Sequence, residues 1–266
     1  MAKIHPTAVV MPGAQLADDV EVGPMCYVGE HVAIGSGTRL IAQCHINGYT
    51  TLGSGNVVYP FAALGCEAQD HAVEFGSRMF LKIGDNNIFR EGVAIHTGTK
   101  PDTETVIGSG CMFMNHSHVA HNCVVGNNVI LVSGSVIGGY SQLGDGAILS
   151  GLCALHQFCR VGRLAIISGV SAFSKDVPPF MMAEGRNGSC KMVNLVGLKR
   201  AGFSADTIRA IRDVFKIFYH EGLSVSNALA KIKAEVEPLP EVREFIEFCE
   251  NSPRGVICGR VAGHRD

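Results

Sequence analysis

IGSGCMFMNHSHVAHNCVVGNNVILVSGSVIGGYSQLGDGAILSGLCALHQFCRVGRLAII, residues 107–167, carries an apolar residue at every sixth position. Ile107, Phe113, Val119, Val125, Leu131, Ile137, Leu143, Leu149, Leu155, Val161 and Ile167 share one register without a slip. An amphipathic helix needs a period of about 3.6 residues and a half-buried strand a period of about 2, so neither explains this spacing. The same period opens the chain at Ile4, Val10, Leu16, Val22, Val28, Ile34, Leu40, Ile46, Leu52, Val58 and Leu64. It returns at Ile83, Phe89 and Ile95 after an interruption near 70–82, and a second disturbance lies at 98–105 around Pro101. Four residues after many of these aliphatics stands a small or β-branched one, such as Ala8, Ala14, Cys26, Thr38 or Ala62. Both positions are expected to point into a solenoid spanning 4–175, in which each repeat buries its apolar face against the next. The two interruptions are then loops leaving the solenoid, where sites commonly form.

The bulk composition agrees. With 266 residues, 47% of them hydrophobic, and a formal charge of −2, the chain buries a large core and is neither an acidic disordered tail nor a basic nucleic-acid binder. Glycine reaches 32 residues and tryptophan is absent, which suits a tightly cornered backbone around a narrow interior. No run of about 18 apolar residues occurs and the N-terminus has no signal-peptide pattern, so a cytoplasmic protein without stable membrane insertion is expected.

Of the ten cysteines, Cys26, Cys44, Cys111, Cys123, Cys153 and Cys159 fall at the small inward position of the repeat, where a thiol behaves as a small hydrophobe. No CxxC pair exists, so neither a metal nor a disulfide is read from them. Histidines carry more information. His116, His118 and His121 cluster in MNHSHVAHNC, and neither His121 nor His156 occupies the inward aliphatic position, so both are expected on the outer surface. His121, Gly139 and Gln157 are spaced by 18 residues, as are Ala120, Gly138 and His156. Two neighbouring columns thus combine a candidate base, bare backbone and polar groups, the ingredients of a site that stabilises an oxyanion.

Beyond DVPPF (176–180) the six-residue period stops and helical signals begin. Ser204 is placed to cap a helix with Ile208, Ile211, Phe215 and Phe218 on one face, ending near Gly222; a second helix is expected from Ser224 or Ser226, and a third after Pro240 with Val242, Ile246 and Cys249 inward. Lys191, Lys199, Arg200, Arg209 and Arg212 give this region a basic cast that suits phosphate, an acidic carrier protein, or simply solvent.

The repeat is similar to that of the hexapeptide acyltransferase superfamily, whose members build left-handed parallel β-helices with three hexapeptides per triangular coil, a rare exception to right-handed crossovers. HVAHNC (118–123), ALHQF (154–158), DVPP (176–179) and NLVGLKRAGF (194–203) more specifically resemble the UDP-N-acetylglucosamine O-acyltransferases that open lipid A synthesis. The resemblance implies an all-β left-handed β-helix over 1–180 and a small helical region over 181–266. It implies transfer of a 3-hydroxyacyl group from acyl carrier protein to the 3-position of a UDP-sugar by a homotrimer, with no metal and no dissociable cofactor. It assigns His121 as general base and Gly139 as oxyanion donor. Gln69, Asp70, His118, His156 and Gln157 become substrate contacts, Asn194 and Arg200 the nucleotide end, and Gly169 a position that governs the acyl groove.

Four departures from the family pattern stand out. Asn122 follows the histidine where the family usually has Asp; an amide hydrogen-bonds an imidazole but does not neutralise an imidazolium. The loop reads Gln69, Asp70, His71, Ala72, Val73, without the family lysine. Tyr140 stands where a histidine is usual, and Val196 where a glutamate is common. Acylation of a 3-amino sugar analogue therefore stays open, as do a zinc-dependent β-helix of carbonic anhydrase type, suggested by His116 and His121, and a non-catalytic solenoid.

Overall fold

The computed structural model describes residues 1–259 except 72, 75 and 187. Two-residue strands recur throughout the repeat: Lys3–Ile4, Val9–Val10 and Gln15–Leu16 begin three faces, and each later coil adds one strand to each. Strands of successive coils pair in parallel, as Val9 with Tyr27 and Val10 with Val28. The six-residue period explains this: three six-residue sides bring position i+18 over position i, so one inward aliphatic per side stacks on its successor. Stacked partners are 18 residues apart in the regular coils, and the separation widens to 31 across the first loop and 24 across the second.

Burial follows the predicted register from Val22 and Val28 onward, and the six cysteines assigned inward are all buried. The first coil needs correcting. Ile4 is 47% exposed, and Val10 and Leu16 are only half-buried, because no coil lies beneath them. Both loops also end earlier than the period implies. Phe80–Ile83 and Glu104–Ile107 are four-residue strands that stack on each other and on Tyr49–Leu52 in the third face. Their alternation buries Leu81, Ile83, Thr105 and Ile107. Inside the prism, fully buried Thr38, Asn56 and Asn87 form a ladder in which each side chain accepts a backbone N–H from the next coil, ending at Cys111 (2.8–3.1 Å). These hydrogen bonds offset the cost of burying the hydroxyl and the two amides.

On the outer surface of the first face, strand register aligns Val57, Ile88, Met112, Ile130, Ile148 and Ile166 in one column. All six are apolar, yet none is fully buried within the chain. The three coils preceding Val57 carry Lys3, Glu21 and Arg39 in that column, ion-paired at 3.0 Å.

Past Phe173 the chain does not turn helical at once, as the sequence suggested. Met181–Glu184 and Ser189–Val193 form an antiparallel hairpin that extends the first face, and Cys258–Gly259 adds to its edge. Among the described residues four helices follow the hairpin: α1 (Leu195–Arg200), α2 (Ala205–His220), α3 (Val225–Glu235) and α4 (Pro240–Glu250). Ser204 and Ser224 cap α2 and α3 by accepting the N–H of Thr207 and Asn227, and Pro240 begins α4. Ile211, Phe218, Val242, Ile246 and Cys249 are buried as expected, while Ile208 and Phe215 are half-buried. One continuous apolar core runs from the prism into these helices. Among the described residues no helix is long and apolar enough to cross a membrane.

Candidate active site

The corner between the second and third faces gathers His121, Gly139, His156 and Gln157, each just beyond a strand of the second face. Contrary to expectation, His121 is not a surface group: the residue is 7% exposed. It lies outside the prism, but both inserted loops and the next coil fold over it. From the first loop Asp70 places Oδ2 3.4 Å from His121 Nε2. From the second, Thr99 reaches Asn122, whose Oδ1 stands 3.0 Å from His121 Nδ1. Tyr140 closes one side, edge-on to His121 at 5.3 Å and stacked on Phe158 at 4.9 Å. The loops are tied together by Arg78 and Asp102, and the first is further held by Ala68, Val73 and Met79, which form a small apolar cluster of their own.

Asn122 Oδ1 accepts the Thr99 backbone N–H at 3.2 Å, which identifies that atom as the amide oxygen. Both His121 nitrogens face an acceptor, Nδ1 at 3.0 Å from Asn122 and Nε2 at 3.4 Å from Asp70, and the shorter contact favours the hydrogen on Nδ1 with the lone pair on Nε2. An amide thus orients the base even though it adds no charge. The charge comes from the other side, because the Asp70 carboxylate faces the nitrogen that would take up a proton.

Gly139 is buried beneath this ring. A Cβ there would lie 2.4 Å from His121 Cε1 and 2.5 Å from Nε2, so the glycine makes room for the imidazole as well as for any substrate. Its carbonyl accepts from Phe158, and among the described residues its N–H donates to no other group. His118 is half-buried on the second face, edge-on to buried His96 at 5.0 Å. Burial lowers the pKa of His118, and burial together with the charges of His118 and His121 pulls His96 down to about 4. His96 is consequently a weak base, and its Nδ1 is buried without a partner among the described residues. Gln69, His156 and Gln157 are exposed. Ala72, at the position of the absent lysine, lies outside the described residues.

The remaining candidates are not brought to this corner. Gly169 sits between the first and second faces, at the opposite edge of the second face, where a Cβ would meet only the Gly151 carbonyl at 3.4 Å. Asn194 and Arg200 belong to the third corner. Asn194 is 3% exposed, accepts the Gly197 N–H to cap α1 and donates to Leu164 O. Within the chain Asn194 therefore seats α1, whose exposed end carries Arg200. Sequence reasoning missed Thr99 and the Tyr140–Phe158 stack. The signal available was the break in period around Pro101, which shows that a loop leaves the prism but not where it returns.

The chain is similar to known proteins over nearly its whole length. Residues 176–257 match the family described as Udp N-acetylglucosamine O-acyltransferase, Domain 2, and residues 104–139 match the bacterial transferase hexapeptide repeat. The chain is 41% identical to an acyl-[acyl-carrier-protein]–UDP-N-acetylglucosamine O-acyltransferase of Anaeromyxobacter sp., over 95% of this chain and 98% of that one. It is 40% identical to the protein of the same name from Thermodesulfovibrio yellowstonii, over 96% and 99%. Solved UDP-N-acetylglucosamine acyltransferases from Bacteroides fragilis (TM-score 0.92, 37% identity, 96% of this chain and 99% of that chain) and Francisella novicida (0.93, 32%, 99% of each) superpose closely. The coil is left-handed, as the hexapeptide pattern implies. With identity of this order over nearly the whole of both chains, the protein belongs to the UDP-N-acetylglucosamine O-acyltransferase family.

Proposed function

We propose that the chain transfers a 3-hydroxyacyl group from acyl carrier protein to the 3-hydroxyl of UDP-N-acetylglucosamine in the cytoplasm, the opening step of lipid A synthesis. The observation that carries the mechanism is the setting of His121, with Nδ1 3.0 Å from Asn122 Oδ1 and Nε2 beside Gly139 and Asp70. Nε2 takes the hydroxyl proton as the sugar oxygen attacks the thioester carbonyl. The Gly139 N–H receives the negative oxygen of the tetrahedral intermediate. Collapse breaks the carbon–sulfur bond, and the imidazolium returns its proton to the carrier thiolate. Asp70 offsets the imidazolium charge, a task that Asn122 cannot perform. Gln69, His118, His156 and Gln157 hold the sugar and diphosphate, and Asn194 and Arg200 the nucleotide end.

A single chain distributes these groups over separate corners. This favours a homotrimer in which the His121 corner of one chain meets the Arg200 corner of the next. The apolar column from Val57 to Ile166 supports it, since a second copy would cover a face that solvent disfavours. Gly169, at the corner between the first and second faces, leaves space for a long acyl chain. Incubation with UDP-N-acetylglucosamine, its 3-amino analogue and a panel of 3-hydroxyacyl carrier proteins, followed by product mass spectrometry, tests the assignment. An ester of the hydroxyl sugar is expected. Amide formation with the analogue alone would reassign the acceptor, and no transfer from any donor would remove the activity.

A further inference from the structure

Arg254 follows α4 in the C-terminal tail, far in sequence from the solenoid. The tail is clamped on both sides of it. Asp176, fully buried, binds Arg160 Nε and Ser252 Oγ through one carboxylate oxygen, both at 2.8 Å; its backbone N–H donates to Gly255 O and its carbonyl accepts from Ile257, both at 2.9 Å. The guanidinium is thereby delivered to the catalytic corner. Its Nε and Nη2 donate to Ser174 O at 3.1 and 3.0 Å, and Nη2 stands 3.4 Å from His156 Nδ1.

Two groups compete for that nitrogen. The Gln157 carbonyl, 3.1 Å away, would accept a hydrogen from Nδ1, whereas Arg254 can only donate to it. A charge-assisted hydrogen bond is roughly twice as strong as a neutral one, and an Nδ1–H would point a hydrogen at a cation. The carbonyl is the nearer of the two, at 3.1 against 3.4 Å, and the guanidinium is the charged one.

We propose that Arg254 is a positioning residue that fixes His156 with a bare Nδ1, so that its Nε2–H is a hydrogen-bond donor to the substrate. The inference rests on the acyl-transfer reading for its consequence, though not for its geometry. His121 and His156 then have opposite tautomers. One offers an acceptor to a hydroxyl, and the other, roughly 10 Å along the same corner, offers a donor to an acceptor oxygen of the same ligand.

Two-bond proton–nitrogen correlation spectra of the intact protein labelled with nitrogen-15 at histidine test the tautomer without any activity measurement. His156 Nδ1 is expected in the unprotonated range in the wild type and in the protonated range in Arg254→Gln, with Arg254→Lys intermediate. A protonated Nδ1 in the wild type overturns the proposal, and that spectrum decides even if the variants fold poorly. In kinetics, Arg254→Gln is expected to raise KM for the sugar nucleotide about tenfold, the scale of one lost hydrogen bond, with little change in kcat, and to add nothing in a His156→Ala background. An equal loss in that background would mean that Arg254 does not act through His156. Wild-type protein with the expected spectrum but no acyl transfer would instead count against the functional reading.

Discussion

Asn122 favours Nε2 as the nitrogen of His121 that is free to act, and this is visible only once Thr99 is seen to donate to the same oxygen. From the sequence, His121 was legible as a group outside the core. Its burial was not, because the six-residue period describes the prism and says nothing about loops that fold back over it. His121→Ala is expected to keep the fold and lose about 10²-fold or more in kcat, measured by single-turnover acyl transfer with saturating substrates. Near-normal turnover would exclude it as the base. His96 is the less suitable substitute, since burial and neighbouring positive charge hold it at about 4 against an ordinary 6.5. The same shift has a consequence for stability. Between these two values the unfolded chain binds a proton that the folded chain refuses, so the stabilisation is complete above about pH 6.5 and is lost as pH falls towards 4. His96 accounts for about 2 kcal/mol of loss between pH 7 and pH 5. Urea unfolding at both pH values should show a smaller loss for His96→Gln than for the wild type, and equal losses would contradict the assignment.

Among the secondary-structure elements, the repeat strands were legible because each inward aliphatic obeys one geometric rule, and the helices because Ser204, Ser224 and Pro240 mark their starts. The hairpin at 181–193 was not. Its pairing is antiparallel and shifts register between Met182 and Ala183, so its buried residues fall on no fixed period. The first coil shows the opposite failure, a correct period whose residues lack a neighbour. These two cases make a paired prediction. Val28, fully buried between Val10 and Ile46, should tolerate no charge: Val28→Asp leaves an unpaired carboxylate in the core and costs several kcal/mol. Ile4→Asp, on the open end, should cost less than about 1 kcal/mol. Thermal melts of the two variants side by side check the register, and comparable losses would refute it.

For the whole molecule, the arrangement of corners matters more than any one contact. His121, Gly139 and His156 occupy the corner between the second and third faces, Gly169 the corner between the first and second, and Arg200 the end of α1, which Asn194 anchors to Leu164 at the corner between the third and first. In the proposed homotrimer a substrate touching both His121 and Arg200 bridges two chains, because these groups lie at different corners of one prism. The sequence exposed the residue set through its motifs. It could not reveal that the set is divided, because an 18-residue stacking rule relates positions along one corner and not across the prism. The division predicts complementation. Chains carrying His121→Ala and chains carrying Arg200→Ala should each be impaired alone, the second most clearly at limiting sugar nucleotide. When the two are unfolded together and refolded in equal amounts, about one quarter of the clefts in random trimers receive an intact His121 from one chain and an intact Arg200 from its neighbour. Acyl transfer should then recover towards that fraction of wild type, while the same proteins refolded separately and mixed afterwards recover nothing. If co-refolded mixtures that sedimentation shows to be trimeric gave only the average of the two parents, each site would be built from one chain and the shared cleft would be ruled out.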